Sequence, residues 1–415
     1  MTSTLNTPGT QTPMALDPYD YAFQEDPYPV YARLRAEEPL HHNPDLDLWA
    51  LTRHADIAEA VRTEGTYSNS WGVAIEKSAW GPDAHRVMSI LGMDPPRQKT
   101  MRSLVSRGFT PRRVTELLPR IQALTDQYLR ECLARAGDGE GFDWITDFAG
   151  KLPMDVISEM MGVPPEDRDD VRRQADVVVH REEGVYDVPP AAMDASLWLV
   201  GYYQEMVTQR RRQPQDDLTS ALLAAEMEGE RLEDEDVIAF LFLMVVAGNE
   251  TTTKLLGHCL FHLTRHPDQL ARVFGGAGDP DLVVPWIEET LRFDTSSQLL
   301  ARYLLRDVEL HGRVAPKGSK LLLCLGSANR DERVFSRPDE YDIFRDKDEL
   351  AQILSFGGGR HFCLGANLAR LEARIALTSL VKAVRSVEVD HDRCGRVHSL
   401  NVRGFASVPV RVEAR

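Results

Sequence analysis

Apolar positions recur at helical spacing along most of the chain, and one long segment is apolar on every side. Leucine and isoleucine residues spaced three or four apart predict an amphipathic helix from Ala366 to Leu380. A second helix is predicted from about Leu232 to Arg265, since the acidic residues at its start favour the helix dipole. Its middle, Val237–Val246, is uniformly apolar, so we expect this helix to lie buried at the centre of the fold.

Shorter periodic segments lie on either side of these two helices. Residues 114–225 predict several helices, with breaks at Ala136–Gly141 and at the proline pair 189–190. The other predicted elements are helices over Pro29–Glu38 and Arg53–Arg62, a helix that begins near Pro285, a strand over Leu48–Thr52, and strands over Val308–Leu325. No stretch of Gly, Ser or Pro is long enough to be a clear linker, which allows one large domain.

One long segment has no clear periodicity. Tyr67–Met93 mixes glycines with large apolar side chains, among them Trp71 and Ile75. Loops of this length are usually functional or disordered. The number of large apolar residues argues against an ordinary surface loop.

Composition and charge exclude several partners. The chain has 415 residues with 48 basic and 64 acidic side chains, a net charge of −16, and such an acidic chain is a poor binder of nucleic acid. Five scattered cysteines without a C-x-x-C pair indicate a reducing compartment. Residues 1–17 lack the features of a signal peptide, and the apolar run Val237–Gly248 is shorter than the ~20 residues of a membrane span. We therefore expect a cytoplasmic protein with a flexible N-terminus over residues 1–17 and no membrane partner.

The clearest chemical signal is a glycine-rich segment that contains one cysteine. It runs from Phe356 to Gly365, and Cys363 stands where the helix from Ala366 is about to begin. Unpaired backbone N–H groups and the positive end of the helix dipole favour a thiolate there. One cysteine cannot hold a structural zinc ion or an iron–sulfur cluster, but it can be the axial ligand of haem iron. The alternative is a buried free cysteine.

A polar segment interrupts the apolar middle of the central predicted helix. Ala247–Thr252 places a glycine, an acid and two threonines inside this helix. Such residues reduce the stability of a buried helix, and a local loss of this kind often marks a functional site. A threonine hydroxyl that bonds to the carbonyl four residues earlier could bend the helix there. The alternative is a polar patch at a helix kink.

Motifs in order along the chain resemble those of the cytochrome P-450 family, and the resemblance to its soluble bacterial members extends from about Asp17 to Val412. Ala247–Thr252 is similar to the family's A-G-x-[DE]-T-T motif. The family pattern F-G-x-G-x-H-x-C-x-G is matched by Phe356, Gly357, Gly359, His361, Cys363 and Gly365. The resemblance implies a mainly α-helical fold with small β-sheets, in which one large domain over residues 18–415 holds haem between the central helix and the cysteine loop.

The resemblance also implies which residues hold the cofactor, haem b. Cys363 would be the iron ligand and Phe356 would shield its sulfur, while Ala247 and Gly365 would be further cofactor-binding residues. The implied propionate partners are Gln98, Arg102, Arg302 and His361. Gln98 stands where the family usually has a histidine, and its amide can donate a hydrogen bond but carries no charge.

Catalytic and structural roles follow from the same resemblance. Thr251 would hydrogen-bond the oxygen or an ordered water, and Glu250 would help relay protons from solvent, a form of assistance typically worth ~10²–10⁴-fold in rate. Glu289 and Arg292 match the family's E-x-x-R motif, and Arg345 would complete that structural network. The segment from about Val177 to Tyr203 would be a mobile lid.

The expected substrate pocket is largely apolar. Its implied lining residues are Trp71, Ile75, Phe240, Leu243, Met244, Leu299 and Leu400. These expectations describe a haem-thiolate monooxygenase that inserts one oxygen atom from O2 into a largely hydrophobic organic molecule. Two alternatives stay open: a haem-thiolate enzyme that couples aromatic rings or uses peroxide without inserting oxygen, and a non-enzymatic haem sensor or carrier.

The expected electron donors are a ferredoxin and its NAD(P)H-dependent reductase, because no flavin or ferredoxin module is apparent in the sequence. The basic residues between Arg97 and Arg113, with no acid among them, could form a docking patch for an acidic donor. The alternative is a solvated helix face.

Overall fold

Helices account for most of the fold. The structure, a computed structural model, describes residues 16–137, 141–227 and 230–415, so that residues 1–15 of the predicted flexible N-terminus lie outside it. Its α-helices are α1 (Tyr21–Glu25), α2 (Tyr28–Glu37), α3 (His54–Ala60), α4 (His85–Met88), α5 (Arg97–Val105), α6 (Pro111–Glu116), α7 (Leu118–Gly137), α8 (Leu152–Met161), α9 (Arg168–Val179), α10 (Pro190–Arg212), α11 (Leu218–Leu223), α12 (Asp234–Thr264), α13 (Pro267–Gly275), α14 (Pro280–Phe293), α15 (Leu325–Ala328), α16 (Lys347–Leu350) and α17 (Ala366–Ala383).

Small sheets complete the architecture. The strands are β1 (Leu40–Asn43), β2 (Leu48–Leu51), β3 (Tyr67–Ser68), β4 (Phe142–Asp143), β5 (Glu226–Met227), β6 (Glu230–Arg231), β7 (Leu299–Leu304), β8 (Val308–Leu310), β9 (Arg313–Ala315), β10 (Lys320–Cys324), β11 (Val384–Val389), β12 (Gly395–Arg396), β13 (Phe405–Ser407) and β14 (Pro409–Ala414). The largest sheet has the order β1-β2-β10-β7-β3, and a second has the order β11-β14-β4. In the largest sheet β10 runs parallel to β2 and antiparallel to β7.

Helix α12 is the central helix that the sequence predicts. Three acidic residues occupy its first turn, and its apolar middle is buried. Its most apolar window has a mean hydropathy of 1.3, enough to cross a membrane by length and composition, but 67% of that window is buried inside the protein. It is therefore the core helix of the fold. Two tryptophans fix it from outside, since the indole N–H groups of Trp144 and Trp286 donate to the carbonyls of Leu256 and Cys259, each at 2.9 Å.

Two hydrophobic clusters surround the space beside α12. One is built around α12 and the helices packed on it, and the other around the five-stranded sheet with the N-terminal helices. The polar segment of α12 and the loop that precedes α17 face each other across this space. The fold therefore brings together two motifs that are more than 100 residues apart.

Most predicted elements are confirmed with small shifts at their ends. The helix expected near Pro285 instead begins at Pro280, because the Asp279 side chain accepts from the Asp281 N–H and caps it one turn earlier. The break at residues 189–190 is confirmed as the gap between α9 and α10. The loop over Tyr67–Met93 is less irregular than expected, since it contains β3, the short helix α4 and a 3₁₀ helix over Ser89–Gly92.

Candidate active site

A large cavity separates α12 from the cysteine loop, Phe356–Gly365. Its walls are mostly apolar, and Leu243, Met244 and Ala247 of α12 form one side. The space that no protein atom fills, which is partly open to solvent, measures about 1420 Å³. The cavity is therefore a candidate site for an organic cofactor or substrate.

Glycines allow the cysteine loop its tight course. Gly357 and Gly359 have φ angles of +67° and +59°, which residues other than glycine rarely adopt. A Cβ at Gly359 would also collide with the carbonyl oxygen of Val61. The loop closes on itself where the Cys363 N–H donates to the carbonyl of Phe356 at 3.0 Å. These constraints hold the Cys363 side chain at the cavity wall.

The environment of the Cys363 thiol combines opposing influences. The thiol faces the cavity and is surrounded there by protein atoms rather than by bulk water. This burial raises its pKa. The backbone N–H groups of Gly365 and Ala366 and the charges of Arg102 and Arg370 act in the other direction and favour the thiolate. The thiolate expected from the helix start is therefore supported by local donors, while the protein alone still favours the thiol.

Cys363 differs from the other cysteines. Cys132, Cys259 and Cys324 are buried, Cys394 is half-buried, and none of these four lies on the cavity wall. Burial raises the pKa of each of them. Cys363 is therefore the cysteine that is available to a ligand in the cavity.

Positive charge converges on one side of the cavity. Arg102, Arg302 and His361 all line it, and no carboxylate in the described residues forms an ion pair with either arginine. The guanidinium groups of Arg102 and Arg302 donate only to the carbonyls of Phe362 and Ala301, at 2.7 and 2.8 Å. Burial lowers the pKa of Arg302 to about 10, and burial with these two arginines lowers the pKa of His361 to about 3. Two guanidinium groups at a cavity wall, one half-buried and one buried, that lack a carboxylate partner among the described residues fit a ligand that carries carboxylates.

Gln98 lies beside this group but not on the cavity wall. Its side chain is almost fully buried, and its amide donates to the carbonyl of Arg360 at 3.1 Å. The amide of Gln98 braces the cysteine loop from α5, and its contact with a haem propionate stays a prediction.

The polar segment of α12 has the backbone contacts that the sequence suggests. The hydroxyl of Thr251 donates to the carbonyl of Ala247 at 2.9 Å, four residues earlier. The hydroxyl of Ser296 donates to the carbonyl of Thr251 at 2.9 Å and so ties this turn to the segment before β7. Ala247, Gly248, Thr251 and Thr252 line the cavity. The result is a small polar notch in an apolar wall.

Glu250 points away from this notch. It is only 3% exposed, it does not line the cavity, and its carboxylate forms an ion pair with Lys254 at 3.0 Å. Of the two predicted catalytic residues, Thr251 lines the cavity and Glu250 does not, and the roles of both stay predictions. The difference in direction follows from helical geometry, since adjacent residues on a helix face directions about 100° apart.

Glu289, Arg292 and Arg345 come together as predicted. Arg292 binds both carboxylate oxygens of Glu289 at 2.8 Å, and Nε of Arg345 lies 3.0 Å from Oε2. The backbone N–H of Asp342 also donates to Glu289 at 2.9 Å. The charge of Glu289 is fully paired although the residue is entirely buried.

The network reaches the cysteine loop through Asn329. Arg292 donates to the carbonyl of Asn329, whose amide oxygen accepts from the Leu354 N–H at 2.7 Å and whose amide nitrogen donates to Ser355 at 2.8 Å. These two residues immediately precede Phe356. The three charged residues thus hold the base of the loop that carries Cys363.

The structure divides the predicted substrate-contacting residues. Leu243 and Met244 line the cavity, whereas Trp71, Ile75, Phe240, Leu299 and Leu400 do not.

The other five predicted residues lie outside the cavity wall for local reasons. Trp71 stacks on the ring of Tyr303 with centroids 4.4 Å apart, and Phe240 is completely buried in the α12 cluster. Ile75, Leu299 and Leu400 pack in the cluster around the five-stranded sheet. Side chains alternate along a strand, so that Leu300, the neighbour of Leu299 on β7, faces the cavity instead.

Several cavity residues were missed from the sequence. They are Asn69, Val73, Ile90, Leu91, Phe109, Ile157, Leu300 and the segment Thr295–Ser297. Glu372 of α17 was also missed; it is buried in the wall, and burial raises its pKa to about 8. Most of these side chains carry no motif, because only the folded arrangement brings them to the cavity.

Polar contacts tie the predicted lid, Val177–Tyr203, to the segment between β3 and α4. Arg181, just after α9, forms an ion pair with Glu76 in that segment. Asp187 accepts from the backbone and hydroxyl of Ser78, at 3.0 and 2.6 Å. Any movement of the predicted lid away from this segment would have to break these contacts.

The chain has relatives among known proteins in both sequence and structure. The Cytochrome P450 family profile matches residues 192–274 and 282–404. Over 402 residues the chain is 53% identical to a putative cytochrome P450 123 of Mycobacterium tuberculosis, covering 97% of this chain and 98% of that protein. Over 419 residues it is 38% identical to a vitamin D(3) 25-hydroxylase of Pseudonocardia autotrophica, covering 99% of each. The solved structure of cytochrome P450 CYP109Q5 from Chondromyces apiculatus aligns with a TM-score of 0.83 and 33% identity, covering 96% of this chain and 98% of that chain.

The chain therefore belongs to the cytochrome P450 family, whose members are haem-dependent monooxygenases. The predicted fold class, enzyme class and haem cofactor are confirmed. The residues on the cavity wall fit this cofactor, because one thiol faces the space and two arginines there, Arg102 and the buried Arg302, lack a carboxylate partner among the described residues. Haem offers an iron for the thiolate and two propionates for the arginines.

Proposed function

We propose that this protein inserts one oxygen atom from O2 into a largely hydrophobic organic substrate, with electrons supplied by NAD(P)H through a ferredoxin reductase and a ferredoxin. The observation that carries the proposal is the polar notch at Thr251, which lies in an apolar wall of the cavity that Cys363 also lines. When bound through Cys363, haem b supplies oxygen activation and accepts the electrons one at a time.

Different residues of the chain are proposed to bind different parts of the cofactor. Cys363 provides the anionic sulfur ligand, and Arg102, Arg302 and His361 bind the propionates. Phe356 shields the sulfur side of the loop, where its ring packs 4.5 Å from the Arg370 guanidinium. Ala247 and Gly365 line the cavity and present little side-chain bulk to the cofactor.

Thr251 and Glu250 are proposed to move protons. The Thr251 hydroxyl donates to the Ala247 carbonyl and can exchange that bond for one to an ordered water in the cavity. The Glu250 carboxylate must first leave Lys254 and rotate towards the cavity before it can pass a proton to that water. Two protons are required for each oxygen atom released as water.

The substrate is proposed to be apolar with few polar groups. Leucine, isoleucine, valine and methionine side chains dominate the wall above the notch, and the nearby polar groups are Asn69 and Thr295–Ser297. The relative named vitamin D(3) 25-hydroxylase acts, by its name, on a substrate of this chemical kind. A spectral-shift screen, in which substrate displaces water from the iron, would identify the class of molecule.

The test of the proposal uses labelled dioxygen. With the substrate found by that screen, the holoenzyme, a [2Fe–2S] ferredoxin, its reductase and NADPH should yield a product that contains one labelled oxygen atom. A coupled or dehydrogenated product without label would favour the alternative without oxygen insertion. An absence of NADPH consumption with every redox partner would favour a sensor or carrier.

Replacing Thr251 with alanine should separate NADPH consumption from product formation. Haem should remain bound, but product per NADPH should fall by about an order of magnitude, because a positioned proton donor typically contributes ~10²–10⁴-fold. Product and NADPH are measured in the same reaction. The control is Thr264→Ala in the same helix, where the hydroxyl makes the same type of bond to the Leu260 carbonyl away from the cavity. Equal coupling in the two variants would remove Thr251 from proton delivery.

Ferredoxin is proposed to dock on the face outside the cysteine loop. Phe362, next to Cys363, is 44% exposed there. The predicted basic patch is partly neutralised in the structure, since Glu116 pairs with both Arg112 and Arg113 and Asp236 pairs with Arg97. Lys99 of α5 and Arg374 of α17 are exposed and carry no ion pair in the described part of the chain.

Neutralising Lys99 and Arg374 should therefore weaken ferredoxin binding more than neutralising Arg112 and Arg113. The affinity of a [2Fe–2S] ferredoxin is measured by titration at several salt concentrations, and the difference should be largest at low salt, where surface charges are least screened. Arg385, which lies on β11 and pairs with Glu413, supplies the control Arg385→Gln. A salt dependence unchanged in Lys99→Gln/Arg374→Gln would exclude this docking face.

A further inference from the structure

Several hydroxyl groups on the cavity wall donate their protons to backbone carbonyls. Thr251 and Thr252 donate to the carbonyls four residues earlier, at 2.9 and 3.4 Å. Ser296 donates to the carbonyl of Thr251 at 2.9 Å, and Ser355 donates to that of Leu291 at 2.7 Å. A hydroxyl has one proton to donate and two lone pairs that accept. These four side chains therefore offer acceptor oxygens, and not donors, to a molecule in the cavity.

Ser296 is fixed from two sides. Its hydroxyl is bonded to α12, and its backbone carbonyl accepts from the Arg403 N–H at 2.8 Å. The next residue, Ser297, forms a β-bridge with Val402. Ser296 lines the cavity and is only 6% exposed. Its oxygen is thus held in place before a ligand binds, which reduces the entropy that binding would cost.

The Ser296 oxygen has a free place for a donor. Among the described residues, no N–H or O–H group donates to it. A ligand hydroxyl or N–H group would fill that place, whereas a ligand carbonyl or ether oxygen would meet a lone pair. To donate to such an oxygen, Ser296 would first have to release the carbonyl of Thr251. The loss of one hydrogen bond weakens binding by roughly fivefold.

The two neighbours of Ser296 do not share this fixed direction. Thr295 and Ser297 also line the cavity, but neither hydroxyl makes a hydrogen bond within the part of the chain that the structure describes. Such hydroxyls can turn, and each can donate or accept. Within this segment, discrimination between a donor and an acceptor on the ligand is therefore expected from Ser296.

We propose that Ser296 is a specificity-determining residue, and that it selects an apolar substrate with a hydroxyl or N–H group over the corresponding ketone or ether. The inference rests on the proposed monooxygenase function and adds one polar group to the substrate. The donor of the substrate binds the Ser296 oxygen, while the proton of Ser296 stays on the carbonyl of Thr251. The remaining contacts of the substrate are with the apolar wall.

The test compares matched alcohols and ketones without turnover. The probes are cyclohexanol, cyclooctanol and cyclododecanol, each with the ketone of the same carbon ring, and their dissociation constants for the holoenzyme are measured by isothermal titration calorimetry. Wild type should bind the best alcohol roughly fivefold more tightly than its ketone. Ser296→Ala should lose that preference by weakening the alcohol alone, and Ser296→Thr, which keeps a hydroxyl, should retain it.

Two controls separate this role from a structural one. Ser196→Ala removes a hydroxyl that donates to the carbonyl of Ala192 on α10, outside the cavity wall, and should keep the wild-type preference. Ser297→Ala should weaken both members of a pair alike. Circular dichroism and the carbon monoxide spectrum of the reduced protein confirm that each variant folds and holds haem. If Ser296 only braces α12, Ser296→Ala will change both affinities by the same factor, and the inference is overturned.

The outcomes also distinguish the inference from the function on which it rests. If wild type binds each ketone as tightly as its alcohol, or if no alcohol binds while other apolar compounds shift the haem spectrum, the inference is wrong and the proposed function stands. If no apolar compound binds at all, the hydrophobic substrate of the proposed function is wrong, and the inference fails with it.

Discussion

Replacing Cys363 with alanine is expected to abolish the thiolate-type carbon monoxide spectrum of the reduced protein. Cys363 lines the cavity, and the four remaining cysteines do not. An alanine leaves the iron without an anionic sulfur ligand, and no described residue near position 363 can replace it. Catalysis of oxygen insertion should be lost together with the spectrum, because thiolate donation favours cleavage of the O–O bond.

The matched control is Cys394→Ala, which removes a half-buried thiol outside the cavity. Circular dichroism confirms that both variants fold, and difference spectra with carbon monoxide are then recorded after reduction. Cys394→Ala should retain the wild-type spectrum. A thiolate-type spectrum retained in Cys363→Ala would show that the ligand assignment is wrong, whatever the activity of that variant.

The features that the sequence predicted well depend on contacts close along the chain. The turn at Gly359 requires a positive φ angle, and α17 follows at the predicted residue, because both are set by neighbouring residues. The Thr251 hydroxyl bonds to the carbonyl four residues earlier, which is also a local arrangement. Motif spacing was therefore sufficient for the cysteine loop and for the notch.

Side-chain direction was predicted less well, because it depends on packing between distant elements. Glu250 belongs to the same motif as Thr251, yet it faces α9 and Lys254, since adjacent helix positions diverge. A shift of one residue along a strand likewise puts Leu300 in the cavity in place of Leu299. No pattern in a single sequence determines which member of such a pair faces a cavity.

Ion pairs formed in the folded protein also reduce the free positive charge that the sequence pattern predicted. The segment from Arg97 to Arg113 contains no acid, but Arg97 pairs with Asp236, more than 130 residues away. Arg112 and Arg113 share Glu116, which lies just beyond the segment. A local count of basic residues therefore overestimated the free positive charge of this surface.

Replacing Glu289 with glutamine is expected to cause the largest loss of stability among the substitutions considered. Glu289 is fully buried and compensates Arg292 and Arg345, both of which are also buried. Glutamine keeps the shape but leaves the buried guanidinium of Arg292 without a counter-charge, whereas Arg345 keeps its ion pair with Glu349 at 2.9 Å. Breaking a buried pair in this way typically costs ~3–5 kcal/mol. Since the network continues through Asn329 to the base of the cysteine loop, haem retention should fall as well.

The adjacent residue provides a control on the same helix. Glu288 binds Arg370 through both oxygens, at 2.6 and 2.8 Å, but this pair is partly exposed. Glu288→Gln should therefore cost about 1 kcal/mol or less, the usual range for surface pairs. Urea unfolding of both variants, with haem content measured in parallel, tests the difference. Equal losses would show that Glu289 has no special role, whereas a large loss for Glu289→Gln that Arg292→Met partly reverses in the double variant would assign the cost to the uncompensated guanidinium of Arg292.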